Sequence, residues 1–271
     1  MIKQILAIVE TGVLEEQFLT DAVRLARLHD AGLIVVALSA VAMPSGDLSV
    51  GSAVVRDELI AAIEAKGAEV EKRAQREGFE LRNIPRDAAS LIGQIPVEAR
   101  YADLALLAPT SAYGNPRLRR QLFEALVQAS GRPLLVLPVA WVPAPFEGLL
   151  VGWNSTWEAA RALADSLILA KPGAQVDVIT VDAADTLKGH STHSGTDVVR
   201  YIRRHGFVAH FQDISSDGRS DATALTDFAA AQRSDLLVLG AAIHSRVHEL
   251  LLGGVTHDLL DGAKIPLLFS R

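Results

Sequence analysis

The sequence predicts an α/β protein built as two doubly wound parallel five-stranded sheets in tandem. Three observations carry that expectation. Short aliphatic runs alternate with stretches of helical periodicity along the whole chain, the rhythm of strand–helix–strand units. The runs are near-continuous in Val, Ile and Leu, as strands must be when helices cover both faces of their sheet. The rhythm also occurs twice. "ILAIVETG" (5–12) is answered by "LLVGWNST" (149–156), "ADLALLAPTS" (102–111) by "SDLLVLGAAI" (234–243), and "GRPLLVLP" (131–138) by "AKIPLLFS" (263–270). Three matches in one order indicate an internal duplication in which Asp103 answers Asp235.

In the front half, strands are expected near 3–9, 32–38, 80–84, 103–108 and 133–138. Helices fall near 14–29, 54–77, 88–100 and 116–129. The first helix carries Leu14, Phe18, Ala22, Leu25 and Leu28 at three- and four-residue spacing, which forms one apolar stripe. In the back half, strands are expected near 148–153, 175–181, 207–212, 235–239 and 265–269. Its helices fall near 156–170, 195–205, 221–232 and 244–262, the last interrupted by Gly253-Gly254. The joint is "VPAPFEG" (142–148), where Pro143 and Pro145 favour an extended connector. It divides the chain into domains at 1–141 and 149–271. Trp141, Trp153 and Trp157 cluster around the joint and read as packing between the halves, with ligand stacking by Trp153 as the second reading.

Composition excludes several classes. With 271 residues there is room for two ordinary domains. Although 49% of them are hydrophobic, no apolar run reaches the roughly 18 residues of a membrane span. The richest stretch is cut by Pro138, Pro143, Pro145 and Glu147. The absence of cysteine rules out disulfides and thiolate metal sites. "MIKQILAIVE" lacks the apolar region and cleavage site of a signal peptide, so a cytoplasmic protein is expected. A net charge of -6 with the signs interspersed argues against a nucleic-acid footprint. The one basic knot, "RLRR" at 117–120, reads as a solvated helix face.

The glycines of "LLLGGVTHDLL" (250–260) raise the functional question. In an open parallel sheet, ligands sit beyond the carboxyl ends of the strands, where the winding direction reverses. "LLVLG" ends a strand at Gly240. Gly253-Gly254 then precede a helix start with Thr256 in its first turn, where unpaired N–H groups attract anions. Glycine lets backbone approach a phosphate closely, and a threonine hydroxyl adds a donor. The bland alternative is a strand end and a helix kink.

Other patterns carry less. His244 and His248 share a helical spacing with His257 nearby, a zinc arrangement only if a third ligand converges. Surface histidines are the commoner reading, and no metal is assigned. His190 and His193 lie in a loop before a helix that Ser194 or Thr196 would cap. The nucleophile elbow G-x-S-x-G and the P-loop G-x-x-x-x-G-K-[ST] are both absent.

The segment "LLVLGAAIHSRVHELLLGGVTHDLLDGAKIPLLFSR" resembles the end of a universal stress protein domain, whose fold is Rossmann-like. Gly240, Gly253, Val255 and Thr256 match the family's loop, as does the closing strand from Ile265. The duplicated halves resemble tandem members of the family. The resemblance is strong in the back half and rests mostly on rhythm in the front half. It implies a stress-linked regulatory or protective protein that holds ATP, with Mg, in the back half. Gly240 would open the loop, Gly253, Gly254 and Val255 would offer backbone donors, Thr256 a hydroxyl, and Asn154 and Val181 would line the adenine side. Departures are present. Asn154 stands where the family has aspartate, Ile243 replaces a loop glycine, and Gly254 replaces a hydroxyl residue. The front half departs further, with Glu10 in the aspartate position, Ala108-Pro109 at the strand end, and Gln121-Leu122 in place of the later loop. It is expected to lack a phosphate site and to pair its last strand with that of the back half, placing Leu134–Leu137 near Ile265–Phe269. The result is an intramolecular pseudo-dimer, with a homodimer also open. Two alternatives stand beside ATP binding without turnover. One is a nucleotide-free interaction module. The other is a slow ATP hydrolase, for which His257 or Asp258 would be the general base.

Overall fold

The computed structural model describes residues 1–11, 16–38, 50–84, 88–182, 194–241, 259–260 and 262–271. The front half runs β1 (Gln4–Glu10), α1 (Glu16–Leu28), β2 (Gly32–Leu38), α2 (Val50–Glu77), β3 (Glu80–Ile84), α3 (Ala88–Ala99), β4 (Leu104–Leu107), α4 (Pro116–Ala129) and β5 (Leu134–Val136). The back half runs β6 (Phe146–Gly152), α5 (Trp157–Leu167), β7 (Ala170–Val181), α6 (Ser194–Arg204), β8 (Val208–Ile214), α7 (Asp221–Gln232), β9 (Leu236–Gly240) and β10 (Leu267–Ser270).

The strand order is β3-β2-β1-β4-β5-β10-β9-β6-β7-β8. Each half therefore winds the same way, with its first strand in third place and the direction reversing between its first and fourth strands. Within each half every strand pair is parallel. The two expected sheets are joined into one, because β5 and β10 pair antiparallel with Leu134 opposite Phe269, Leu135 opposite Leu268 and Val136 opposite Leu267. That pairing removes two sheet edges that would otherwise expose unpaired backbone groups.

Successive side chains on a strand point to opposite faces. In β1, Ile5 through Glu10 are all buried, so both faces of the sheet are covered. The seam between the halves is sealed by aromatic rings: Phe123 of α4 meets Phe269 of β10 edge to face, with centroids 4.9 Å apart at 83°.

The duplication extends to a matched hydrogen-bond clamp. The Asp103 carboxylate, just before β4, accepts the N–H groups of Lys3 (2.7 Å) and Gln4 (3.0 Å). The Asp235 carboxylate, just before β9, accepts those of Glu147 (2.8 Å) and Gly148 (3.1 Å). Each aspartate ties the start of its half's fourth strand to the start of the first. Charge-assisted bonds of this kind are worth more than neutral ones.

The boundaries differ from expectation around the joint. β6 begins at Phe146, inside the expected connector, because Phe146 is 2% exposed and stacks on Trp141 (6.0 Å, 12°). α5 ends at Leu167 rather than 170, and β7, which begins at Ala170, passes through Gly173 at φ +78 near its start, a conformation glycine adopts without a steric penalty. Trp157 is 62% exposed, so it does not pack between the halves. No described helix is long and apolar enough to cross a membrane.

Candidate functional site

The carboxyl ends of β6, β7 and β9 frame a cleft in the back half, at the point where the winding reverses. This is where an open parallel sheet accepts ligands. Gly152, Trp153, Asn154, Val181, Leu225 and Gly240 line it, with Asp221 from the start of α7. Gly240, Asn154 and Val181 thus meet in one place. Gly253, Gly254, Val255 and Thr256 lie outside the described residues, as do Ile243, Asp258 and the histidines His244, His248 and His257.

Gly240 has a sharper physical reason than opening a loop. A Cβ there would sit 2.5 Å from the backbone nitrogen of Ala159 and 2.7 Å from the carbonyl carbon of Glu158. The first turn of α5 lies directly on the end of β9, and only glycine leaves room. Close helix–strand contact is one of the recognised uses of glycine in nucleotide-binding folds.

Asn154 bonds within its own turn. Its carbonyl oxygen, the acceptor that asparagine keeps in place of the family's aspartate, accepts the N–H (3.2 Å) and hydroxyl (2.8 Å) of Thr156. Thr156 in turn caps α5, its Oγ1 accepting from Ala159 N (3.3 Å). Ser155 between them holds φ +59, a left-handed conformation that costs a non-glycine residue about 1 kcal/mol or more. Asn154 Nδ2 makes no hydrogen bond among the described residues, and Asn154 is one of the residues that line the cleft. α7 is capped independently, with Ser220 Oγ accepting from Thr223 N (3.2 Å).

At the matching strand ends of the front half, Tyr113, Glu10 and Arg119 are engaged within the protein. Tyr113 is buried, and its hydroxyl donates to the Ile8 carbonyl (3.1 Å) at the end of β1. The Glu10 carboxylate accepts from Gly114 N (2.9 Å). Arg119 is 3% exposed and donates to the Ala108 carbonyl (2.9 Å) at the end of β4, and across the seam to the Leu260 carbonyl (3.4 Å). The "RLRR" stretch is solvated only in part: Arg117 and Arg120 are exposed, while Leu118 and Arg119 turn inward from α4. Gln121 and Leu122 lie within α4, which begins at Pro116 with Asn115 Oδ1 accepting from Arg117 N (2.9 Å). Eight residues, including the short turn Thr110–Ala112, join β4 to α4.

Burial raises the Tyr113 hydroxyl pKa well above the ordinary tyrosine range. It also raises the Glu10 pKa, against the lowering effect of the Gly114 N–H bond. A carboxyl whose pKa is raised on folding stabilises the protein at acid pH, and loses that contribution as the pH rises through the raised value. Glu10→Gln keeps an oxygen for Gly114 and removes the buried charge. Thermal unfolding from pH 4 to pH 8 is expected to show the variant gaining on the parent as pH rises. A constant difference across that range would show that the Glu10 charge is not involved.

Sequence reasoning placed stacking by Trp153 second and did not anticipate Asp221 or Leu225. Their signal, the Ser220-Asp221 cap, marks a helix start, but only the strand order brings that start to the cleft. Residues 183–193 lie outside the description, and Thr196 sits inside the first turn of α6 rather than capping it.

Comparison with known proteins places this geometry. Residues 149–271 match the universal stress protein family. A universal stress protein from Archaeoglobus fulgidus is structurally similar over 98% of this chain and 96% of its own, with a TM-score of 0.70 at 15% identity. One from Pseudomonas aeruginosa is similar over 99% of this chain and 93% of its own, with a TM-score of 0.55 at 16% identity. No curated protein sequence matches the chain. At such identities the structures speak to the fold alone. Residues 149–271 therefore carry a universal stress protein domain match within a chain whose front half repeats that domain's winding order.

Proposed function

We propose that the back half, 149–271, binds an adenine nucleotide as a regulatory ligand with little turnover, and that the front half, 1–141, is a structural partner without a site of its own. The observation that carries this reading is the asymmetry between two equivalent positions. One is a cleft lined by Trp153, Val181 and Leu225, and at the other Tyr113 and Glu10 are buried and bonded to the Ile8 carbonyl and the Gly114 N–H.

The residues present fit the base end of such a ligand. Val181, Leu225 and the Trp153 ring offer apolar surface to a flat heterocycle, and Asn154 Nδ2 offers a donor to a ring nitrogen or a ribose oxygen. The phosphate end would rest on the N–H groups from Gly253 to Val255 and the Thr256 hydroxyl, by the general affinity of helix N-termini for anions. Mg-ATP would bring its metal with it. The absence of cysteine fits a cytoplasmic setting.

Titration calorimetry of the full chain with Mg-ATP is expected to show one site per chain, and no heat with Gly253→Val, whose side chain would occupy the phosphate position. A silent parent protein would favour the second reading, a nucleotide-free interaction module. That reading has its own support in Ile243 and in the engagement of the Asn154 carbonyl by Thr156.

A further inference from the structure

The ten-stranded sheet ends in two edges of different construction. β3 carries Glu80 and Arg82, with Arg82 paired to Glu80 (2.7 Å) and to Glu98, and short charged strands of this kind resist edge pairing. β8 is longer and leaves Val208 50% and Phe211 39% exposed. Among the described residues its only strand neighbour is β7.

The direction of its backbone groups follows from two bonds. The Ile214 carbonyl accepts from Asp182 N (3.0 Å), so Ile214 faces β7. In a parallel ladder alternate residues turn both backbone groups to the same side, which sends those of Ala209 and Phe211 outward. Consistent with this, Arg203 donates from α6 to the Ala209 carbonyl (2.9 Å).

α6 stands over this edge. Val198 and Ile202 enter the core, while Val199, Arg200, Arg203 and Arg204 line a cleft of about 570 Å³ with Phe211. Gly195 lets the Phe211 ring press against the helix, since a Cβ there would lie 2.8 Å from the ring. Arg200 is held by Asp197 (2.9 Å) in an exposed pair, the kind that contributes little and exchanges readily. Arg200 and Arg204 are one helical turn apart, about 6 Å. Alternate residues of a strand are separated by about 6.6 Å, so two carboxylates at alternate positions of an extended chain match the two guanidiniums.

We propose that β8 is a docking edge for an extended acidic segment of another protein. The segment adds as a strand beside Phe211, its alternating carboxylates meet Arg200 and Arg204, and its apolar side chains rest on Phe211 and Val199. The mode is strand addition to an open edge, in which main-chain bonds supply affinity and side chains supply selectivity. A second copy of this chain is a poor occupant, because a two-fold axis would set one arginine cluster against the other. A nucleic acid has no strand backbone to offer the outward groups of Phe211.

Fluorescence anisotropy with a labelled peptide alternating glutamate and valine tests this on the full chain. Saturable binding is expected, weakened about tenfold or more by Arg200→Glu with Arg204→Glu. Binding should be lost when alternate peptide nitrogens are methylated to block one edge while every side chain is kept. Circular dichroism checks that the arginine variant is folded. An absence of binding, equal binding of the methylated peptide, or displacement of the peptide by single-stranded RNA would each overturn the proposal.

Discussion

Gly240→Ala is expected to destabilise the protein by about 3 kcal/mol, the upper range for overpacking a rigid contact. The added Cβ meets backbone, with Ala159 N at 2.5 Å and Ala159 Cα at 2.8 Å, so no side chain can swing away to admit it. Relief requires the first turn of α5 to lift off β9. That turn is joined to the cleft through Thr156 and Asn154, so ligand binding should weaken together with stability. Urea unfolding monitored by circular dichroism measures the first effect. Gly67→Ala in α2 is the control: nothing lies within 4 Å of its Cβ, and replacing a mid-helix glycine should gain about 0.5–1 kcal/mol. If Gly240→Ala proved as well tolerated as the control, the close approach of α5 to β9 would be wrong.

Phe269→Ala should cost about 3–5 kcal/mol, as large-to-small changes of buried aromatics do. Phe269 is 2% exposed and belongs to the antiparallel pair that fuses the halves. Its ring partner, Phe123, comes from the other half. A double-mutant cycle with Phe123→Ala should therefore return a coupling of about 0.5–1.5 kcal/mol, the range for edge-to-face rings. Unfolding should also lose its cooperativity, because the seam makes the two halves melt together. Additive losses and a single sharp transition in the double variant would argue against coupling through this ring pair.

Much of the fold was legible because it follows from burial patterns. Runs such as Ile5–Val9 and Leu104–Leu107 are apolar at every position, which only a two-sided covered strand explains. The match of Asp103 with Asp235 pointed to a duplication, and the structure gives that match a mechanism in the paired backbone clamps. The pairing of Leu134–Val136 with Leu267–Phe269 also follows expectation, since each half ends in a short apolar strand that needs a neighbour.

The candidate site was less legible, for a different reason. Periodicity reports which face of an element is buried, and says little about what a polar atom bonds to. Arg119 looked solvated in a basic run, yet it finds two carbonyls inside the seam. Tyr113 follows a proline-bearing turn that reads as an ordinary loop, yet it is buried and its hydroxyl donates to the Ile8 carbonyl. The Asn154 carbonyl is engaged by Thr156 across a left-handed Ser155, a conformation that sequence does not announce for serine. Asp221 and Leu225 reach the cleft from far along the chain, through strand order alone.

The difference between the halves at their matching strand ends is best tested by diffraction from crystals of the full chain soaked with Mg and a non-hydrolysable ATP analogue. Difference density is expected beside Trp153 and Val181 alone, with Tyr113 still bonded to the Ile8 carbonyl. Density at the front-half position with Tyr113 displaced, or none in the back-half cleft at saturating analogue, would contradict the account.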